Sequence, residues 1–127
     1  MAYSTDMKAA ARRHYNDGRG LEDQRRYDNA GYHYGFSAEC AIKFALGAVG
    51  VRGDHEAIWL HFPDIVRQGL LAIETRRAAN IRVLLQRPNF MQGWNIKMRY
   101  SSNGSVLQAT AEKWRDDANE ALGLFFN

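Results

Sequence analysis

Asp54, His55, Glu56, His61 and Asp64 bring five side chains able to hold a metal ion into eleven residues. Their spacing follows no zinc pattern and the only cysteine, Cys40, is far away, so the group reads as a polar loop and no metal is expected. The arginines are more informative. Residues 65–100 hold seven basic and one acidic side chain, with Arg76, Arg77, Arg87, Lys97 and Arg99 among them. An excess gathered into one part of a chain favours an anionic partner, either nucleic acid or acidic protein, with a solvated helix face as the plain alternative. Arg77 lies at helical spacing between Ile73 and Ile81, on the apolar side, while Arg76 and Arg87 point outward. A guanidinium at such a place must be paired or reach a wet cleft, so an ion pair with Glu39 or Asp64 is expected, or else a ligand contact. Tyr27, Tyr32 and Tyr34 could stack on bases, but their helical spacing equally suits a core. No phosphate loop, dinucleotide fingerprint, serine elbow or paired-carboxylate motif occurs, and no cofactor is expected.

These side chains have to be carried by one domain spanning 1–127, since the length suits a single core. With 46% hydrophobic and 24% charged residues the composition is ordinary for a globular protein. No apolar run approaches the roughly 20 residues of a membrane span, and the first ten residues lack a signal-type segment. A cytoplasmic protein without a membrane partner is expected. The stretch 28–49 organises the chain. Wound as a helix, it gathers Ala30, His33, Tyr34, Ser37, Ala41, Phe44, Ala45 and Ala48 on one side, with Phe36 and Cys40 widening that face. Cys40 reads as a small core residue. Glu39 and Lys43 form an i, i+4 pair on the far side. Gly31 and Gly35 lower helix propensity, which implies close neighbours rather than intrinsic preference.

Before it, a first helix starts at Ser4, Thr5 or Asp6 and runs to Leu21 on a seam of Met7, Ala11, His14 and Gly18, and a turn over 24–27 leads to Asp28 as a candidate cap. After it, Gly50 and Gly53 mark a loop. Pro63 opens a short helix through Ile65, Val66 and Leu70, and a longer one spans 71–86 with Ile73, Ala78, Ile81, Leu84 and Leu85 inward, closed by Pro88. A crossing follows in which Phe90, Trp94, Ile96 and Met98 plug the core. Ser105 and Gln108 read as a capping box for a last helix with Leu107, Ala111, Trp114, Ala118, Ala121 and Phe125 on its seam. The fold class is therefore all-α, a bundle of four or five helices with a short extra helix after a glycine-containing loop.

The order of features resembles a HEPN domain, a helical bundle named for nucleotide binding in higher eukaryotes and prokaryotes. The resemblance rests on AARRHYNDGRGLED in the first helix, AGYHYGFSAECAIKFAL in the second, HFPDIVRQGL in the short helix and MRYSS before the last. The segment SAECAIK, from Ser37 to Lys43, is its strongest part, followed by the pair Arg99 and Tyr100. Membership would imply His61 with Asp64 as a structural tie of loop to bundle, and a homodimer paired through helices. Many HEPN proteins are metal-independent ribonucleases with an R-x(4 to 6)-H motif. Here no histidine follows Arg99 before Ser105, so that pattern is absent at its usual place. Arg26 and His33 satisfy the spacing elsewhere, about 10 Å apart along a helix axis, which is awkward for joint action on one phosphate within a chain. The resemblance thus implies a non-catalytic binding module of a bacterial toxin, antitoxin or defence system, taking RNA, nucleotide or a protein partner. Its alternatives are an endoribonuclease using Arg26 and His33, or a small immunity or adaptor protein.

Overall fold

The computed structural model describes residues 4–73 and 78–126, which form five α-helices and no strand. Helix α1 (Met7–Asp23) begins where the Asp6 carboxylate accepts the Ala9 amide at 2.9 Å, so Asp6 is the cap among the three candidates. Helix α2 (Tyr27–Ala48) is the central rod and packs chiefly on α1 and on α5 (Gln108–Phe126). Ala30, Tyr34, Ser37, Ala41 and Ala45 are buried as the periodicity requires, and Ala38, Ile42 and Leu46 are buried as well. The rod is covered on more than one side.

The glycines of α2 have the close neighbours that their cost demands. A Cβ on Gly35 would stand 1.9 Å from the Trp94 indole, and one on Gly31 would stand 2.8 Å from that of Trp114. Two indoles therefore lie against the helix backbone, and Trp94 Nε1 donates to the Gly31 carbonyl at 3.0 Å. The gain in packing offsets the roughly 1 kcal/mol that each glycine costs a helix. Phe90, Met91 and Trp94 are buried in the crossing, and Ile96 and Met98 pack against the core at its edge.

Four expectations are corrected. Leu71 and Ala72 belong to α3 (Asp64–Ala72), Ile73 is extended, and α4 is only Ala79–Leu85. Ile73 and the α4 residues Ile81, Leu84 and Leu85 are all buried, but Ile73 reaches the core from extended backbone, not from one long helix. Glu39 and Lys43 do not face solvent: they are 1% and 9% exposed. The loop after the 3₁₀ turn Glu56–Trp59 covers them, with His61 Nδ1 3.0 Å from Glu39 Oε2 and the Phe62 amide donating to Oε1 at 2.8 Å. Asp28 is not a cap but sits inside the first turn of α2, where it accepts the amides of Gly104 and Val106 at 2.8 Å each. Ser105 builds no capping box either. Held between those two amides, it donates its hydroxyl to the Ser102 carbonyl at 2.6 Å, and α5 begins at Gln108 itself.

Candidate functional site

Helix α1 ends in a Schellman turn. The Arg26 amide donates to the Leu21 carbonyl and the Arg25 amide to that of Glu22, both at 2.9 Å, which places Arg25 at the left-handed position with φ of 59°. Glycine is the usual occupant there, because a side chain in that conformation costs about 1–2 kcal/mol. An arginine at a glycine position calls for a reason in its side chain.

Arg25 lines a cleft of about 360 Å³ together with Arg26, the first turn of α2, Tyr32 and Arg99. No side chain caps α2, so the positive end of its dipole adds to the guanidinium charge. Asp28 is the only acid in the lining, and both its oxygens are engaged by the amides of Gly104 and Val106. None of Arg25, Arg26 and Arg99 makes an ion pair among the described residues. Arg99 stands on the 3₁₀ turn Ile96–Tyr100, donates from Nε to the Tyr32 hydroxyl at 2.7 Å and lies over the Tyr32 and Tyr100 rings at 5.6 and 5.8 Å. Tyr32 is itself held by stacking on Trp94 at 6.0 Å. Tyr100 is 81% exposed beside the cleft, and Lys97 is exposed on the same turn. Asn29, Ser101 and Asn103 complete the polar lining. The arrangement can hold a phosphate through several charge-assisted hydrogen bonds and offer an aromatic face next to it.

The structure brings Arg26 and Arg99 to one cleft and adds Arg25, while Tyr100 lies beside Arg99 outside the lining. The sequence signal for Arg25 is its position two residues beyond the end of α1, where glycine is usual, and it becomes visible only once the end of α1 is fixed at Asp23. His33 is elsewhere. Its Nδ1 meets Nδ1 of His14 at 3.0 Å between α1 and α2, and it does not line the cleft that Arg26 lines. Burial first, then the neighbouring His33 and Arg13, hold His14 below its ordinary pKa, against the pull of Asp17.

Arg87 does not point free into solvent as expected. Two acids one helical turn apart on α5 draw it in: Nη1 lies 2.8 Å from Glu120 Oε2 and Nη2 lies 3.9 Å from Asp117 Oδ1, with the guanidinium over Phe90. Arg76 and Arg77 lie outside the described residues, and so does the ion pair expected of Arg77. Its suggested partner Glu39 is occupied by His61, the Phe62 amide and, at 3.9 Å, Lys43. His61 ties the loop to the bundle through the buried Glu39 of α2, and Asp64 takes no part in an ion pair among the described residues. The remaining members of the acidic and histidine-rich loop are dispersed: Asp54 pairs with Arg52, and His55 accepts the Ala57 amide. No helix among the described residues is long and apolar enough to cross a membrane. Compared with known proteins, the chain matches no family model, no curated protein and no solved structure.

Proposed function

We propose that this chain is a HEPN-like binding module without intrinsic catalysis, and that the cleft of Arg25, Arg26 and Arg99 takes the phosphate backbone of RNA. The observation that carries the reading is the lack of any ion pair for these three arginines among the described residues, around a cleft whose single acid is already engaged. Nucleotide binding rests on the same chemistry, and an acidic protein would use the same charge. The lining contains no histidine, so it offers a grip on phosphate without a group of near-neutral pKa to move a proton. A place in a bacterial toxin, antitoxin or defence system, and a homodimer, follow from the family resemblance and belong to the proposal.

A salt titration of binding to a short single-stranded RNA tests it. Three phosphate contacts give a slope of about −2 in log affinity against log salt, or roughly 20-fold weaker binding at 200 mM than at 50 mM. Arg26→Ala with Arg99→Ala should flatten that slope, and an affinity indifferent to salt would refute the reading. The endoribonuclease alternative has one supporting contact: Tyr32, which Arg99 engages, also meets the His33 ring edge-on at 6.1 Å. A metal-independent cleavage lost on His33→Ala would favour that alternative. An immunity or adaptor role would show as no RNA binding at all.

A further inference from the structure

A second groove lies at the far end of α2, away from the arginine cleft. Met7, Phe44, Val51, Ile58 and Trp59 give it apolar walls, and Lys43 lines it with them. Its volume of about 690 Å³ falls within the range of about 300–1,000 Å³ typical of small-molecule sites. The walls are set in advance: Phe44 meets the edge of Phe126 at 5.1 Å, and the Trp59 indole donates to the Gly53 carbonyl at 3.1 Å.

Lys43 is the unusual member. It is 9% exposed, and its ammonium makes no hydrogen bond among the described residues. Its one ionic neighbour, Glu39 Oε2, is 3.9 Å away, and the two Glu39 oxygens are already bonded by His61 and the Phe62 amide. Lys43 thus lines the groove with its ammonium only loosely paired to Glu39, so a carboxylate that enters the groove meets a cation of complementary charge. The glycines point the same way. Gly47 and Gly53 both line the groove, neither has a positive φ, and a Cβ on either would touch nothing. Packing does not ask for glycine at Gly47, and a helix disfavours it, so its effect is to leave the groove open. The acid on the rim, Asp6, is turned to the Ala9 amide.

We infer that this groove binds a carboxylate with an unbranched apolar tail, of the fatty-acid class, with the headgroup on Lys43 and the tail against Phe44, Val51, Ile58 and Trp59. The site is independent of the arginine cleft and of the reading built on it.

Dodecanoate and dodecanol, both kept below micelle formation, are the probes. Trp59 is 60% exposed whereas Trp94 and Trp114 are buried, so a blue shift of tryptophan emission reports filling of the groove, and a rise in thermal midpoint separates binding from detergent unfolding. Dodecanoate should bind at least tenfold more tightly than dodecanol, and Lys43→Gln should abolish that preference. Should the Lys43 variant fail to fold, Gly47→Leu keeps the question open to test. Gly47 is exposed and a Cβ there would touch nothing, so the fold should be kept while both probes lose at least tenfold in affinity. Equal affinity for the two probes, undiminished dodecanoate binding in Gly47→Leu, or no binding by the wild type would each overturn the inference.

Discussion

Arginines occur in two settings here, and their fates are opposite. Where the crossing meets α5, Arg87 lies between Glu120 and the buried Asp117, which also holds the Met91 amide at 2.9 Å and the Lys113 ammonium. At the start of α2, Arg25, Arg26 and Arg99 share a cleft with one acid that is turned to backbone amides. The difference lies in the carboxylates within reach rather than in the arginines. A cation among acids fastens elements together, and one left with a helix N-terminus and tyrosines is available to a ligand. The first region is thus a clamp, and the second is the receptor of the proposed reading.

The largest test of this contrast is Asp117→Asn. It removes a buried charge that serves a backbone amide, a lysine and an arginine together, and it should cost about 2–3 kcal/mol in chemical denaturation, discounted because Lys113 and Arg87 are partly exposed. RNA affinity per folded molecule should not move. If Asp117→Asn is as stable as the wild type, the clamp is only a set of surface contacts. Next comes a pair of single changes. Arg87→Ala should lower stability by about 1 kcal/mol, through lost ionic contact and packing on Phe90, and leave RNA binding alone. Arg99→Ala should do the reverse, weakening RNA binding several-fold with no measurable change in unfolding midpoint. Parallel behaviour of the two variants in both assays would erase the distinction.

Periodicity and glycine cost were enough to place the bundle and the central rod and to call for close neighbours at Gly31 and Gly35, but not to name the two indoles that fill those places. They were not enough for contacts between residues distant in the chain. The Glu39 and Lys43 spacing is that of a solvated pair, and only the returning loop at His61 and Phe62 makes it a buried one. Arg87 looked outward because the acids that draw it in belong to α5, some 30 residues later. Half of the cleft was visible in the sequence: Arg26 and Arg99 were singled out for reasons of motif, but nothing local says that they meet. Asp28 brings them together by gripping the amides of the 104–106 loop, a contact across more than 70 residues.

Arg25 sharpens the comparison further, because it sets stability against binding at one residue. The left-handed backbone at φ of 59° strains any side chain, and glycine relieves that strain while making the unfolded chain more flexible. Arg25→Gly should therefore raise stability by about 0.5 kcal/mol and weaken RNA binding at low salt. A variant that loses stability would mean that the arginine side chain supports the fold after all, and the cleft would lose its best structural hint of selection for binding.

The smallest expected effect concerns pH, and it distinguishes the two regions by the groups that would titrate. Arginine, lysine and two acids make the clamp, whereas the α1–α2 contact beside Tyr32 includes the His14 and His33 pair. His14 titrates below 6.5 in the folded chain, first because it is buried and then because His33 and Arg13 oppose a further positive charge. The unfolded chain therefore binds more protons than the folded one between that lowered value and 6.5. In this window stability rises with pH: the contribution is complete above 6.5, is lost as pH falls toward the folded pKa, and changes no further below it. Denaturation midpoints of wild type and His14→Gln measured from pH 7.5 to 5 should diverge over that interval, with the variant flatter, since glutamine can still meet His33 but takes up no proton. Parallel curves would show that the histidine pair is a neutral hydrogen bond without influence on how α1 meets α2.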